Sequence, residues 1–460
     1  MPAITLEEII KATGGKSLSK NSGTFNGVSI DSRSIAEDEI FFAIMGEKFD
    51  GHDFLENALS KSGGAVVHSE PGTIPKDKVI VRVNDTLTSL QDLAHFLRKR
   101  QNVPVIAVTG SNGKTTTKEM IYEVLSRKFR TLKNEGNLNN HIGLPLSLLK
   151  MKTDDEIIVL EMGMNALGEI RRLCEIALPS YGVITNIGSA HIGRLGSLEA
   201  IRTAKLEILQ GLNVAAVNAD DDYLMEGVKA AEDFNGQIIT FSVNSDSDVT
   251  ARDVLVTEKG SSYTLEIRGH ESILVNLGVH GLFNVYNSLA AAAVCSSLGV
   301  GAEEIKSALE SYKPFSMRFE LIRTDGITVI NDSYNANPSS MEESLKEAFR
   351  MSDKGRIVAV LGDMGELDAF SEIEHRAVGR IVSEMEIDVF IAVGEMMNLA
   401  ADESRKRRRQ NPKPEVKTYN NIDEAGKDIA NVLKKDDTVL IKGSRLMSME
   451  KIIGSIINAV

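Results

Sequence analysis

The chain has 460 residues, 42% hydrophobic and 25% charged, and its 52 Lys and Arg stand against 65 Asp and Glu for a net charge of −13. That length predicts several domains of about 100–200 residues each, and so acidic a chain excludes general nucleic-acid binding, which needs clustered Lys and Arg to neutralise phosphates. Two cysteines, Cys174 and Cys295, neither with a CxxC partner, exclude a disulfide framework and a zinc site and fit a reducing compartment.

In chain order, Met1 to Gly15 reads as a short amphipathic helix ending in Gly-Gly, not as a signal peptide. No apolar stretch approaches the roughly 20 residues needed to cross a bilayer, so no membrane span is expected. Residues 1–84 mix short strands (Gly27–Asp31, Ile40–Ile44, Ala65–His68, Val79–Val83) with a helix from Asp53 to Lys61, a small α/β domain. A helix over Leu87–Arg100 opens a second zone, 85–313. Its apolar runs at Pro104–Thr109, Ile157–Leu160, Tyr181–Asn186, Ala215–Asn218 and Ile238–Phe241 predict buried parallel strands. Val249–Val279 alternates as antiparallel strands do, and the Ala-rich stretch Asn284–Leu298 predicts a buried helix. The pattern breaks near Tyr312–Phe315, and in 314–460 strands at Ile327–Asn331, Arg356–Leu361, Val389–Val393 and Thr438–Lys442 alternate with helices, a doubly wound, Rossmann-like domain. The fold class is therefore α/β with three domains, the central one mostly parallel. The basic run Arg405–Arg409 reads as the solvated end of a helix.

The strongest chemical signal is Val108-Thr-Gly-Ser-Asn-Gly-Lys-Thr-Thr-Thr117, where a strand feeds a Gly-rich turn and then a helix. Backbone N–H groups of such a turn point at phosphate oxygens, Lys114 reaches the terminal phosphates, and the Thr115 hydroxyl holds Mg²⁺. Gly110, Ser111, Asn112, Gly113, Lys114, Thr115 and Thr116 are thus ATP-binding candidates. Val108 replaces the first Gly of the longer phosphate-loop pattern, so the loop is a shortened variant.

Glu161 closes an apolar strand at the end where open parallel sheets bind ligands, and is either a Mg²⁺ ligand or a surface carboxylate. His191, in the Gly-rich loop Asn186–Gly196, is a metal or substrate candidate or merely an exposed side chain. With Ser197 as N-cap, Lys205 falls inside the apolar stripe of Leu198, Ile201, Ile208, Leu209 and Leu212. It either snorkels out or is buried with a lowered pKa that makes it nucleophilic. Asn284 is placed to cap its helix. Arg318, at the apparent hinge, could swing onto a γ-phosphate. The loop Asn331-Asp-Ser-Tyr-Asn-Ala-Asn-Pro338 is either ordinary turn chemistry or a polar site.

Together these segments, over nearly the whole chain, resemble the Mur ligases of bacterial cell-wall synthesis, whose loop is the short TGSNGKTT form. The resemblance implies an ATP-dependent ligase that activates a carboxylate as an acyl phosphate and passes it to an amine. It implies Mg²⁺ at Glu161, a second metal at His191, and Lys205 carbamylated to N6-carboxylysine, so that Thr115, Glu161, His191 and Lys205 form a two-Mg²⁺ set. Asn284 and Asp332 match adenosine-side contacts and Arg318 the hinge arginine. The loop from Asp332 to Pro338, with Asn335 and Asn337, looks like that of the member adding D-alanyl-D-alanine to UDP-N-acetylmuramoyl-tripeptide. So do Ile30–Arg33 and Asp50–Phe54, which imply uridine-end contacts at Ser32, Arg33, Asp50 and His52. Asn134–Asn140 implies muramoyl-peptide contacts at Asn137 and Asn140, and Lys442–Arg445 matches a C-terminal signature. Two rivals are a sibling amide ligase of the folylpolyglutamate synthase type and a non-catalytic nucleotide-binding protein. The latter should have lost Lys114, Glu161 or Lys205. The expected setting is a cytoplasmic monomer.

Overall fold

The computed structural model describes residues 3–459 apart from 47, 74, 258, 325, 353–354 and 408–412. Three sheets carry the fold. The first has five strands in the order Lys16–Ser17, Val79–Arg82, Gly64–Val67, Glu39–Phe42, Gly27–Ser29, parallel except at its first pair. The N-terminal helix is shorter than its amphipathic pattern: it runs Leu6–Thr13, because Thr5 and Glu8 form a capping box and Gly14 ends it in the left-handed region.

The central sheet has nine strands, ordered Ile273–Leu277, Gly260–Ile267, Val249–Thr257, Gln237–Ser242, Val214–Asn218, Tyr181–Ile184, Val105–Thr109, Ile157–Glu161, Thr131–Lys133. The strands from Thr131 to Val249 pair in parallel and the last three turn antiparallel. The C-terminal sheet runs Glu320–Thr324, Ile327–Asp332, Thr438–Lys442, Ile357–Gly362, Val389–Val393, Glu415–Tyr419, antiparallel only at its first pair.

Apolar contact decides how these layers join. One core spans the first sheet, the helix Thr86–Arg100 and one face of the central sheet, from Ile4 and Phe42 through Leu93 to Ile158 and Val217. The opposite face of the central sheet packs the helices Lys114–Leu125 and Leu282–Ser297, whose Ala290 to Ala293 are fully buried. The C-terminal sheet has its own two cores. Among the described residues no helix is long and apolar enough to cross a membrane. Cys174 and Cys295 are buried and unpaired. Arg405 and Arg407 lie in the helix Glu395–Arg407 and pair with acidic neighbours, as a solvated helix end would, while Arg408 and Arg409 lie outside the described residues.

Candidate active site

Sheet register builds the site. Val105–Thr109 lies between two parallel neighbours, with Val108 opposite Glu161 on one side and Thr109 opposite Ile184 on the other. Both neighbours therefore end level with the loop that follows Thr109, and they deliver Glu161 and the pair Thr185 and Asn186 to it. Val108 is fully buried in the strand, which explains the missing first glycine: the strand continues through the position where a longer loop would begin.

Two glycines are compelled. A Cβ on Gly110, at φ 147°, would sit 1.8 Å from Thr185 Oγ1, and one on Gly113, at φ 80°, 2.2 Å from Asn287 Oδ1. Gly113 caps the helix Lys114–Leu125 without a side-chain bond, so the first-turn amides face the loop as donors for an anion. Thr185 Oγ1 donates to Asn112 O at 2.6 Å, and Asn112 N donates to Asn186 Oδ1 at 2.9 Å.

Thr115 is the junction. Its Oγ1 donates to Glu161 Oε2 at 2.7 Å and accepts from Arg318 Nη2 at 2.9 Å. The other Glu161 oxygen accepts from Asn139 Nδ2 at 2.6 Å. Arg318 stacks on Tyr334 at 4.1 Å, and its neighbours Met317 and Phe319 hold φ of 63° and 53°. Such backbone costs about 1–3 kcal/mol per residue and persists only where surroundings impose it. Here Phe319 N donates to Asp332 Oδ1 at 3.2 Å and Tyr334 N to Met317 O at 3.1 Å. Arg318 is thus held in place from the C-terminal sheet while its guanidinium reaches Thr115 at the glycine-rich loop.

Lys114 folds back, its Nζ donating to Gly110 O at 2.8 Å and Ser111 O at 3.1 Å. Lys205 Nζ donates to the same Gly110 carbonyl at 2.8 Å, from a side chain only 1% exposed, so the buried alternative holds and snorkelling does not. Burial, and then the neighbouring Lys114 ammonium, push Lys205 well below the ordinary lysine value. Burial also lowers Lys114, against the pull of Glu161.

His191, at φ 64°, begins the short helix Ile192–Leu195, and its Nδ1 lies 2.8 Å from Glu366 Oε2 without hydrogen-bond alignment. The ring still holds the Glu366 carboxyl below its usual value. Asn284 is a correction. It does not cap its helix, since Gly281 holds that position and Asn284 Nδ2 reaches back to His280 O at 2.7 Å. Asp332 is fully engaged, accepting from Phe319 N, Ser344 Oγ and Lys442 Nζ.

The C-terminal domain also touches the loop tip: Asn112 Nδ2 donates to Ser339 Oγ and Asn337 Nδ2 to Asn112 Oδ1, both at 2.9 Å. Asn337 caps the helix Pro338–Met351, and the Asn335 carbonyl accepts from Lys442. Thr116 is buried beside the loop. Asn140 accepts from Ile142 N and Gly143 N, and Asn137 is exposed. Ser32, Arg33, Asp50 and His52 belong to the first domain and do not join this cluster. Arg33 pairs with Asp31 at 2.7 Å, and Asp50 with His52 at 2.7 Å.

The residues that sequence reasoning left out are those reached only through packing: Thr185, Asn186, Asn287, Asn134, Asn139, Tyr334, Glu366 and Lys442. Asn134, Asn139, Asn186, Tyr334 and Lys442 stood inside segments already singled out. Thr115 and Glu161 offer the oxygen donors Mg²⁺ prefers. Among the described residues no three His, Cys, Asp or Glu side chains gather into a metal-holding group, so a second ion at His191 needs a further donor.

Three family models match the chain: Mur ligase family, catalytic domain, over residues 24–101; Mur ligase middle domain, over 108–295; and Mur ligase, glutamate ligase domain, over 317–445. The UDP-N-acetylmuramoyl-tripeptide--D-alanyl-D-alanine ligase of Bacillus subtilis is 37% identical over 439 residues, covering 94% of this chain and 93% of that protein. A MurF crystal structure from Acinetobacter baumannii superposes with a TM-score of 0.90 at 31% identity, covering 100% of both chains. The MurF ligase of Thermotoga maritima, solved in complex with ADP, gives 0.82 at 28% identity over 94% of this chain and 97% of that one.

Proposed function

Proceeding from the fact that this chain belongs to the Mur ligase family, we propose that it joins D-alanyl-D-alanine to UDP-N-acetylmuramoyl-tripeptide at the expense of ATP, in peptidoglycan synthesis. The observation that carries the chemistry is the meeting of Thr115, Glu161 and Arg318 at one hydroxyl, with Lys114 and Lys205 on one loop carbonyl. The choice of substrates is supported by full-length relatives of that name.

The tripeptide carboxylate takes the γ-phosphoryl group of ATP, giving an acyl phosphate and ADP. The amine of D-alanyl-D-alanine then attacks the acyl carbon, loses a proton, and phosphate leaves. The chain's contribution is position and charge. The loop amides and Lys114, released from Gly110 O, hold the phosphates, and Arg318 adds charge on the transferring group. Thr115 and Glu161 would hold Mg²⁺, which would supply positive charge against the phosphates. A second Mg²⁺ would be held by His191 and by Lys205 once its amine has taken up CO₂ as a carbamate, a reaction that needs the neutral amine favoured by burial. Contacts from Asn337 and Ser339 to Asn112 bring the amine-binding domain against the loop and keep water from the acyl phosphate. Ser32, Arg33, Asp50 and His52 take the uridine end, Asn137 and Asn140 the muramoyl-peptide end, and Asn335 the amine. Asn284 lies on the adenosine side. Asp332, engaged with Lys442, serves there by shaping the hinge. We assign the reaction to the cytoplasm and to a single chain.

The test is phosphate release with Mg-ATP, UDP-N-acetylmuramoyl-tripeptide and D-alanyl-D-alanine, leaving out one component at a time. Release that needs all of them is the expected result. Turnover with another amine instead would keep the ATP site and overturn the acceptor, and turnover without a uridine nucleotide would favour a folylpolyglutamate-type ligase.

A further inference from the structure

Lys118 is fully buried inside the helix that begins at the phosphate loop, one turn beyond Thr115. Taking an ammonium out of water costs several kcal/mol unless it is paired, and an apolar side chain would fill the same space without that cost. Its Nζ lies 2.9 Å from Glu119 Oε1 and donates to the backbone carbonyl of Asn134 at 2.7 Å. Lys133 takes the other Glu119 oxygen and sits 4.2 Å over the Tyr122 ring. Burial raises the Glu119 carboxyl, and the two ammoniums more than offset this, so it stays charged.

Asn134 is itself fully buried and grips Glu161 by the backbone. Its Oδ1 accepts from Glu161 N at 2.8 Å, and its Nδ2 donates to Glu161 O at 3.0 Å and to Leu138 O at 2.9 Å. The edge strand Thr131–Lys133 pairs with Ile157–Glu161 only as far as Val159 opposite Lys133. Beyond that point the Asn134 amide stands in for the missing ladder on the very residue whose carboxylate meets Thr115. Thr115 and Lys118 are three apart on one helix and so share a face. That helix therefore holds Glu161 twice, at the carboxylate through Thr115 and at the backbone through Lys118 and Asn134.

We propose that Lys118 and Asn134 are positioning residues that aim the Glu161 carboxylate at the metal site beside Thr115. The proposal rests on the reading of Glu161 as a Mg²⁺ ligand. Its test uses the full chain and two variants, Lys118→Met, which keeps the shape and removes the charge, and Asn134→Asp, which keeps the backbone carbonyl that accepts from Lys118 and sets an oxygen against Glu161 O. Mn²⁺ binding in the presence of ADP is followed by the loss of the free-ion EPR signal, and Mg²⁺ activation of turnover is followed separately. Both variants are expected to bind Mn²⁺ about 10–100-fold more weakly, the range known for residues that orient metal ligands. They should need correspondingly more Mg²⁺, while KM for the tripeptide substrate and for D-alanyl-D-alanine stays put. A residue that merely stabilises the fold would lower the melting point and leave these constants alone. Folded variants with wild-type Mn²⁺ affinity overturn the proposal, and if Lys118→Met does not fold, Asn134→Asp decides it. Wild-type protein that binds no Mn²⁺ with ADP would instead remove the assignment of Glu161, and wild-type protein that binds Mn²⁺ but fails to turn over would remove the substrates.

Discussion

Thr115→Val removes one oxygen at almost constant volume and so isolates the hydroxyl. In the structure that oxygen serves two charged partners, giving its proton to Glu161 and accepting from Arg318. Hydrogen bonds to charged groups are worth about 1.5–3 kcal/mol each. Glu161 is 3% exposed and cannot turn to water, although it keeps Asn139. Arg318 keeps its stacking on Tyr334, but its Nε is already buried without a partner. The loss should therefore fall near the sum of one full bond and part of another, about 2–4 kcal/mol. At roughly 2–4 °C per kcal/mol for a unit of this size, the ligand-free melting point should drop by about 4–16 °C. Thr115→Ser, which keeps the hydroxyl, should recover most of it. Near-ultraviolet circular dichroism during a thermal scan, without nucleotide, reads the drop directly. A valine variant melting within about 1 °C of wild type would show that the Thr115 hydroxyl does not tie Arg318 to Glu161 and the loop.

Gly110→Ala should abolish ATP turnover, because its Cβ would stand 1.8 Å from Thr185 Oγ1 at a φ of 147°; isothermal titration with ADP would check this, and unchanged affinity would contradict the loop geometry. His375 is fully buried, with Nε2 accepting from Met364 N and Nδ1 on Ser371 O, and burial lowers it from 6.5. The unfolded chain then binds the extra proton first, so stability should fall as pH drops from 6.5 towards the lower folded value. The urea midpoint of His375→Gln should lose that part of the slope, and a parallel slope would refute it. Arg98, 6% exposed, donates to the carbonyls of Ala177, Val103 and Gln101. Arg98→Leu leaves these acceptors unmet, for a loss of about 2–4 kcal/mol measurable by denaturant unfolding.

What could be read along the chain was whatever has a local cause. The buried parallel strands showed as apolar runs, and Val389–Val393 and Thr438–Lys442 fall where that pattern puts them. The phosphate loop was legible because its two glycines are demanded by backbone shape. Lys205 was half legible: periodicity put it in the apolar stripe, but only packing shows that it is buried on Gly110 O. The edge strands Thr131–Lys133, Glu320–Thr324 and Glu415–Tyr419 went unseen, since one exposed side leaves them polar. Asn284 misled because a polar residue near a helix start resembles a cap, whereas the turn begins at Gly281. Glu366, Tyr334 and Asn139 reach their partners from other elements, and no spacing along the chain foretells such meetings. The substrate-domain residues were named from the family resemblance alone.

The core shared by the first two sheets bears on how the molecule can be divided. Ile4, Phe25, Ile40, Phe42, Val66 and Val81 are covered by Leu90, Leu93, Ala94 and Leu97 of the helix Thr86–Arg100 and by what lies behind it. A fragment ending at residue 84 would leave that oily face bare and is expected to clump rather than fold, as hydrogen exchange and light scattering would reveal. A fragment from 314 onward takes both of its cores with it and should stand alone. Anyone wishing to swing one part of this molecule against the rest, or to stop it swinging, therefore has one seam to work on, and it runs past Arg318.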